Sequence, residues 1–289
     1  MPVPVRDAST VLPLRDGDAG LEVFMVKRNS HMGFLGGAHV FPGGAVDPSD
    51  ATPEAASILG RFSSARAREL LDLDEEDRAL GYLVAGVREL YEEAGILLAK
   101  DAAGDWVALD NATQRAQRLA DLRPRIARGE VSFAATLARE SLNIAGDALR
   151  YFAHWITPES ESKRFDTRFF LAPAPGCQAA AHDRGESVAG EWLTPSAALA
   201  QYGRREIELV PPTICSLDGL TVYESVDEAL QAAAELEVEE VLPKISMEDG
   251  RVTILYPGDV DYEAGRVRSE DRGRMLKRLI LRDGLWVKP

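Results

Sequence analysis

Arg88-Glu89-Leu90-Tyr91-Glu92-Glu93-Ala94-Gly95-Ile96 is the stretch on which the reading of this chain turns. At about 100° per residue on a helix, Glu89, Glu92 and Glu93 fall at roughly 0°, 300° and 40°. Three carboxylates therefore share one narrow arc. Glu89 and Glu93 are like charges at i,i+4, which costs a helix roughly 0.2–0.5 kcal/mol. A divalent cation between them removes that cost, and hard oxygen ligands suit Mg²⁺ or Mn²⁺. Arg88 lies four residues before Glu92 and is placed to steer its carboxylate. Gly95 is placed to end the helix in a left-handed cap. Leu90 and Ala94 give the helix an apolar face to pack on a sheet. The run Leu71-Asp72-Leu73-Asp74-Glu75-Glu76-Asp77 is equally acidic. It lacks the glycine terminator and the arginine, and reads as solvated surface.

The stretch 88–96 fits the pattern R-E-U-x-E-E-x-G-U, with U aliphatic, at every defined position. That pattern is the back half of the Nudix box, and the chain resembles the Nudix hydrolases. Phe41-Pro42-Gly43-Gly44 resembles the start of the same box. In Nudix proteins this loop lies beside the carboxylate helix, and a glycine carbonyl joins the metal shell. The resemblance thus assigns Gly43, Glu89, Glu92 and Glu93 to the metal. Gly44 falls to the substrate, because a glycine backbone can approach a phosphate closely. The box is interrupted, since Arg88 follows Gly44 by 44 residues where about 14 is usual, an excess of about 30. The first glutamate of the pattern has no counterpart at Leu80; Asp47 and Asp50 are the substitutes in reach.

An insertion of this kind marks the branch that holds the acyl-coenzyme A diphosphatases. The segments Lys27–Ser30, Met32-Gly33-Phe34, Gly37–Asp47, Arg164–Phe170 and Leu209–Thr213 resemble it too. The likeness covers about residues 8–215 and is thin beyond. Several Nudix hydrolases place a further glutamate six residues before a tryptophan, as Glu186 stands before Trp192 here. It serves there as a metal ligand or a base for water. Glu191 is the competing choice, though it adjoins Trp192 and reads as part of a strand. Arg28, Arg164 and Arg168 are the arginines able to meet phosphates, by bidentate hydrogen bonding. Phe34, Tyr151 and Trp155 read as core aromatics before they read as a stacking platform. His31 and His39 have no partner at metal-ligand spacing.

The wider chain agrees with a small-molecule enzyme. Its 289 residues carry a net charge of −14, which repels nucleic acid and anionic membranes. An anionic substrate then requires a metal or a local arginine cluster. No apolar run approaches the roughly 20 residues of a membrane span. The first residues lack the apolar core of a signal peptide. With Cys177 and Cys215 read as reduced thiols, the expected location is the cytoplasm. Oligomeric state is open, with a homodimer among the possibilities.

Ser9–Leu14 and Leu21–Arg28 read as a β-hairpin, and His39-Val40-Phe41 as a short strand. Residues 50–95 read as helical with breaks near Gly60 and Asp72. Strands are expected at 96–99 and 106–109. Helix is expected again over 111–148, broken at Pro124 and Gly129. Tyr151–Thr157, Thr167–Ala172 and a segment ending at Leu193 read as strands. A helix follows from Ser196 and another spans about 226–237, before two strands around Glu248-Asp249-Gly250. This order gives a mixed α/β class; the resemblance implies a Nudix-type α/β/α sandwich with a mixed sheet and helical insertions. The division expected is a Nudix domain over 1–215, with insertions at about 48–80 and 111–148. A C-terminal α+β extension over 216–289 packs on it.

The function expected is metal-dependent hydrolysis of the diphosphate in a nucleoside diphosphate-linked compound. The resemblance puts coenzyme A or an acyl-coenzyme A first, and ADP-ribose or another nucleoside diphosphate second. A non-catalytic metabolite sensor on the same fold is the alternative from another class. It has no need of all three carboxylates, which this chain has. An isoprenyl diphosphate isomerase would need a nucleophile for which no cysteine motif is present.

Overall fold

A computed structural model describes residues 3–31, 36–109, 113–183, 187–248, 251–259, 261–262 and 278–289. The chain opens with β1 (Val5–Gly17) and β2 (Gly20–Arg28), an antiparallel hairpin as expected. Its turn is shorter than the sequence implied: only Asp18 and Ala19 intervene, and Gly20 takes φ 104°. Beyond the shared hairpin the two strands splay. β3 (His39–Val40) pairs with β2, and β4 (Gly43–Ala45) pairs with β1. The Pro42-Gly43-Gly44 corner is thereby set between the diverging strands.

The interruption of the box is a helical excursion. It runs through a 3₁₀ turn (Pro48–Ala51), α1 (Pro53–Ser57) and α2 (Ser64–Leu71) into α3 (Glu76–Ala94). Ala55, Ile58, Leu59 and Leu71 are buried, so the excursion rejoins the core. The acidic run 72–77 between α2 and α3 is largely exposed, as a solvated surface should be. After α3 come β5 (Ala99–Lys100), α4 (Gln114–Ala127), α5 (Phe133–Arg139) and β6 (Asn143–Ile144). β5 pairs with β6, and Trp106 reaches only an isolated bridge to Lys100. α4 runs through Pro124, where a break was expected. A proline forfeits one N–H bond and keeps a helical φ. Here it falls near the end of α4, with Leu119 and Ile126 buried on either side of it. Gly129 does mark the stop, at φ 68°.

β7 (Arg150–Ile156) and β8 (Arg164–Pro173) follow, then β9 (Ser187–Leu193) and α6 (Pro195–Gly203), capped by Thr194. α7 (Pro211–Leu220) lies where the sequence showed no helix, and α8 (Val226–Ala234) where it did. Pro211 and Pro212 read as a loop, yet proline is favoured in a first helical turn. Among the described residues eight strands make the main sheet, in the order β10-β7-β8-β1-β2-β3, with β4 on β1 and β9 on β2. Here β10 is Glu240–Val241. β1 and β8 run parallel while the hairpins are antiparallel, so the sheet is mixed. A second sheet takes β11 (Lys244–Glu248), β12 (Arg251–Leu255), β13 (Arg278–Arg282) and β14 (Leu285–Val287) in order.

Alternation along the strands divides the core. Val11, Phe24 and Val26 pack with Leu83, Val87 and Leu90 of α3. Leu12, Leu14, Val23 and Met25 face the other way, onto Ala198, Ile214, Leu217 and Ala229 of α6–α8. This is the α/β/α sandwich. Tyr256 of the C-terminal part meets Trp155 edge-on at 5.3 Å, so the second sheet shares that core. The boundary drawn at 215 falls inside α7. No helix among the described residues is long and apolar enough to cross a membrane.

Candidate active site

α3 carries the three carboxylates, and two glycines let it approach the sheet closely. A Cβ on Gly86 would stand 2.7 Å from Ser9 Oγ, and one on Gly81 would stand 2.9 Å from Val46 Cγ1. The helix thus lies against β1 and β4. Gly95 ends it at φ 68°, and its N–H returns to the Tyr91 carbonyl.

The excursion therefore closes on itself. Gly43 donates its N–H to Glu93 Oε2 at 3.0 Å. A Cβ on Gly44 would lie 2.4 Å from Glu89 Oε1. Arg88 sits at the centre of the group. Its Nε and Nη2 donate to the two oxygens of Asp50, each at 2.9 Å, and Nη2 also donates to the Ala45 carbonyl. Its Nη1 donates to Glu89 at 2.8 Å and to Glu92 at 3.4 Å. Asp50 is 2% exposed, whereas the Asp47 side chain is 58% exposed and 3.9 Å from Arg88. Of the two aspartates considered as stand-ins for the missing first glutamate, Asp50 is the one built into the site.

Charge is strongly unbalanced here. Asp50, Glu89 and Glu92 gather around the guanidinium of Arg88, and Glu93 stands beside them on the Gly43 N–H. Burial opposes the Arg88 charge, yet Asp50, Glu89 and Glu92 more than offset this and hold its pKa above the ordinary value. Glu92 moves the other way. Burial first, and then the neighbouring charge of Glu89, push its carboxyl up to about 7, with Arg88 only partly opposing. Such an excess of buried anionic oxygen, all from hard donors, fits a divalent cation. As they stand, no three acidic, imidazole or thiol groups among the described residues are gathered to hold a metal. Glu89 and Glu92 turn to Arg88, and Glu93 turns to Gly43. Holding a cation requires these side chains to rotate away from their present partners.

The remaining residues singled out in the sequence scatter. Arg28 ends β2 opposite Ser187 of β9, and its Nε is buried with no hydrogen-bond partner among the described residues. Glu186, next in sequence to Ser187, lies outside the described residues, as do Gly33 and Phe34. Glu191 is in β9, as the sequence indicated. Tyr151 and Trp155 are buried core aromatics.

Arg164 and Arg168 are both buried and hydrogen-bonded, though Arg168 Nε, 3.5 Å from Asp166 Oδ1, makes no hydrogen bond among the described residues. Arg164 Nε donates to the Thr157 carbonyl at 3.0 Å. Arg168 Nη1 donates to Tyr151 Oη and to His154 Nδ1, and its guanidinium lies 5.3 Å from the Tyr82 ring. An arginine can only donate, so His154 Nδ1 must accept. Its Nε2–H then donates to Asp166 Oδ1 at 2.7 Å, and the imidazole is neutral. Arg78 completes the network with both oxygens of Asp7 and with Asp166. Tyr82 precedes Glu89 by seven residues, about 10 Å along the helix axis. The network therefore braces the first half of α3, away from the carboxylates. That placement argues against a phosphate role for Arg168.

Arg123 was not picked out from the sequence. It reaches the Glu92 carbonyl from α4 at 3.0 Å. One arginine in an Arg-rich helix carries no local signal of such a contact.

The family model for the NUDT19 Nudix domain matches residues 76–220. The human acyl-coenzyme A diphosphatase NUDT19 is 27% identical over 277 residues, covering 84% of this chain and 72% of that protein. Its Xenopus laevis counterpart is 27% identical, covering 83% and 71%. A Nudix hydrolase crystal structure from Alicyclobacillus acidocaldarius superposes with a TM-score of 0.63 at 28% identity. It covers 79% of this chain and 96% of that one.

Proposed function

The chain belongs to the Nudix hydrolases, and from that premise we propose that it hydrolyses the diphosphate of coenzyme A or an acyl-coenzyme A with Mg²⁺ or Mn²⁺. The observation that carries the reading is the set of carboxylates beside the Gly43-Gly44 corner, Asp50, Glu89 and Glu92 on Arg88 and Glu93 on the Gly43 N–H. Glu89, Glu92 and Glu93, with the Gly43 carbonyl, are the residues that would hold the metal. A bound divalent cation polarises the phosphoryl oxygens and lowers the pKa of water. Arg88 is locked on Asp50 and keeps the carboxylates at a fixed pitch. Gly44 leaves room for a phosphate to approach the backbone. Arg28 is the arginine proposed to meet a phosphate. One of the three glutamates, or Glu186, orients the attacking water or accepts its proton.

The leaving group is proposed from the relatives, which are acyl-coenzyme A diphosphatases in human and frog. We read residues 1–215 as the hydrolase unit, 216–289 as an extension on its far face, and the protein as cytoplasmic. The experiment is a substrate panel with each metal, with products identified by mass. The expected products are 3′-phosphoadenosine 5′-phosphate and a 4′-phosphopantetheine. A kcat/KM favouring ADP-ribose by about tenfold, or 1.4 kcal/mol, would overturn the coenzyme A reading and leave the hydrolase standing.

A further inference from the structure

The last turn of α3, Tyr91–Ala94, carries two of the three carboxylates, Glu92 and Glu93. Terminal turns are where helices fray, because the last four carbonyls have no partner within the helix. Here three of the four are satisfied, one by the helix's own cap residue and two from elsewhere in the chain. Tyr91 O accepts the Gly95 N–H at 3.0 Å, and Ala94 O accepts the Ala181 N–H at 2.8 Å. Glu92 O accepts Arg123 Nε at 3.0 Å. The same guanidinium donates through Nη2 to Ala181 O at 2.7 Å. Arg123 thus bridges two carbonyls, one on the carboxylate helix and one on the segment that leads to β9. Gly95 leaves the room for it, since a Cβ there would stand 2.7 Å from Arg123 Nη1. α4 is itself tied to the carboxylate helix, because Tyr91 Oη donates to Leu119 O at 2.6 Å.

We propose that Arg123 is a positioning residue for the metal-holding carboxylates, acting through the Glu92 carbonyl to keep the last turn of α3 wound. The inference rests on the reading of Glu89, Glu92 and Glu93 as the metal-holding set. It gives the 111–148 insertion a function at the active site beyond covering the core. The planar fork of arginine is required, because a lysine ammonium cannot hold two carbonyls in the same fixed geometry.

The sign of one measurement separates this role from plain electrostatics. A cation beside the site repels a second cation, so removing Arg123 for its charge alone tightens metal binding. Removing it as a brace weakens binding. The experiment is calorimetric Mn²⁺ titration, without substrate, of the wild type, Arg123→Met, Arg123→Lys and Arg118→Met. Arg118 faces away from α3 onto Glu140, so its variant disturbs α4 without touching Glu92. We expect Arg123→Met to bind Mn²⁺ about 10–100-fold more weakly, the usual cost of losing a residue that orients metal ligands. Arg123→Lys should recover only part of this, and Arg118→Met should bind as the wild type does. If Arg123→Met does not fold, the Arg123→Lys titration carries the test. Unchanged or tighter Mn²⁺ binding by a folded Arg123 variant overturns the proposal alone. A wild type that binds no Mn²⁺ removes the metal reading of the site as well.

Discussion

Glu93 Oε2 accepts the backbone N–H of Gly43 at 3.0 Å, joining residues fifty positions apart. This bond closes the two halves of an interrupted motif into one site. It also fixes which glycine does what. A Cβ on Gly43 would meet the Ser9 carbonyl at 2.5 Å and Thr10 Cα at 2.8 Å, both backbone. The three atoms nearest a Cβ on Gly44 all belong to the Glu89 carboxyl.

Alanine at the two positions should therefore fail differently. Gly43→Ala forces β4 away from β1 and should cost stability, about 1–3 kcal/mol for overpacking against backbone. Gly44→Ala displaces a flexible side chain and should leave the melting temperature nearly unchanged. Its kcat/KM should fall by about tenfold or more, because Glu89 can no longer occupy its place. Melting curves and steady-state kinetics on both variants check this. A Gly44→Ala enzyme with full activity would show that the Glu89 position is immaterial.

Chelation should abolish hydrolysis, and Mg²⁺ or Mn²⁺ should restore it. Glu92→Gln and Glu93→Gln keep side-chain volume, and glutamine at 93 still accepts from Gly43. Both should fold, with turnover down by about a hundredfold or more. Activity in excess EDTA, or wild-type turnover in either variant, would falsify the metal assignment.

The pH dependence of stability follows from Glu92. Burial and Glu89 raise its carboxyl from 4.5 to about 7 in the metal-free protein. A folded-state pKa above the unfolded value favours the folded state while the group is protonated. That contribution is complete below about 4.5 and is lost as pH rises through about 7. Its full size is roughly 3 kcal/mol. In EDTA the wild type should melt several degrees lower at pH 8 than Glu92→Gln does, relative to the same pair at pH 5. Mg²⁺ should narrow the gap. Parallel melting profiles for the two proteins across this range would rule out a raised Glu92 pKa.

The helix over 88–96 was legible because its signals are local: a 3.6-residue period, an aliphatic face and a glycine stop. The excursion was legible for the same reason, since Ala55, Ile58 and Leu59 demand burial wherever they lie. The pairing of Asp50 with Arg88 spans 38 residues and depends on how the excursion returns, so the sequence offered two aspartates and no means to rank them. α7 and the last two strands were missed, the first because Pro211-Pro212 reads equally as a loop. Arg164 and Arg168 read as able to meet phosphates because an acidic chain needs arginine to bind an anionic substrate. Their spacing held a contrary signal. Arg164, Asp166 and Arg168 recur at period two, so they share one face of β8, and that face is the buried one.

Arg168 therefore yields the last test. Its guanidinium fixes the neutral tautomer of His154, which in turn holds Asp166 at 2.7 Å. Asp166 meets Arg78 of α3 at 3.1 Å. Removing one member of such a buried set strands the others and costs about 3–5 kcal/mol. Arg168→Met should accordingly lower the melting temperature sharply, while Mn²⁺ affinity and KM, measured well below the melting transition, stay within about twofold of the wild type. A phosphate-binding Arg168 gives the reverse pattern. If KM rises by about tenfold or more with the melting temperature unchanged, Arg168 belongs to the substrate site, and the brace beneath α3 must be assigned to Arg78 alone.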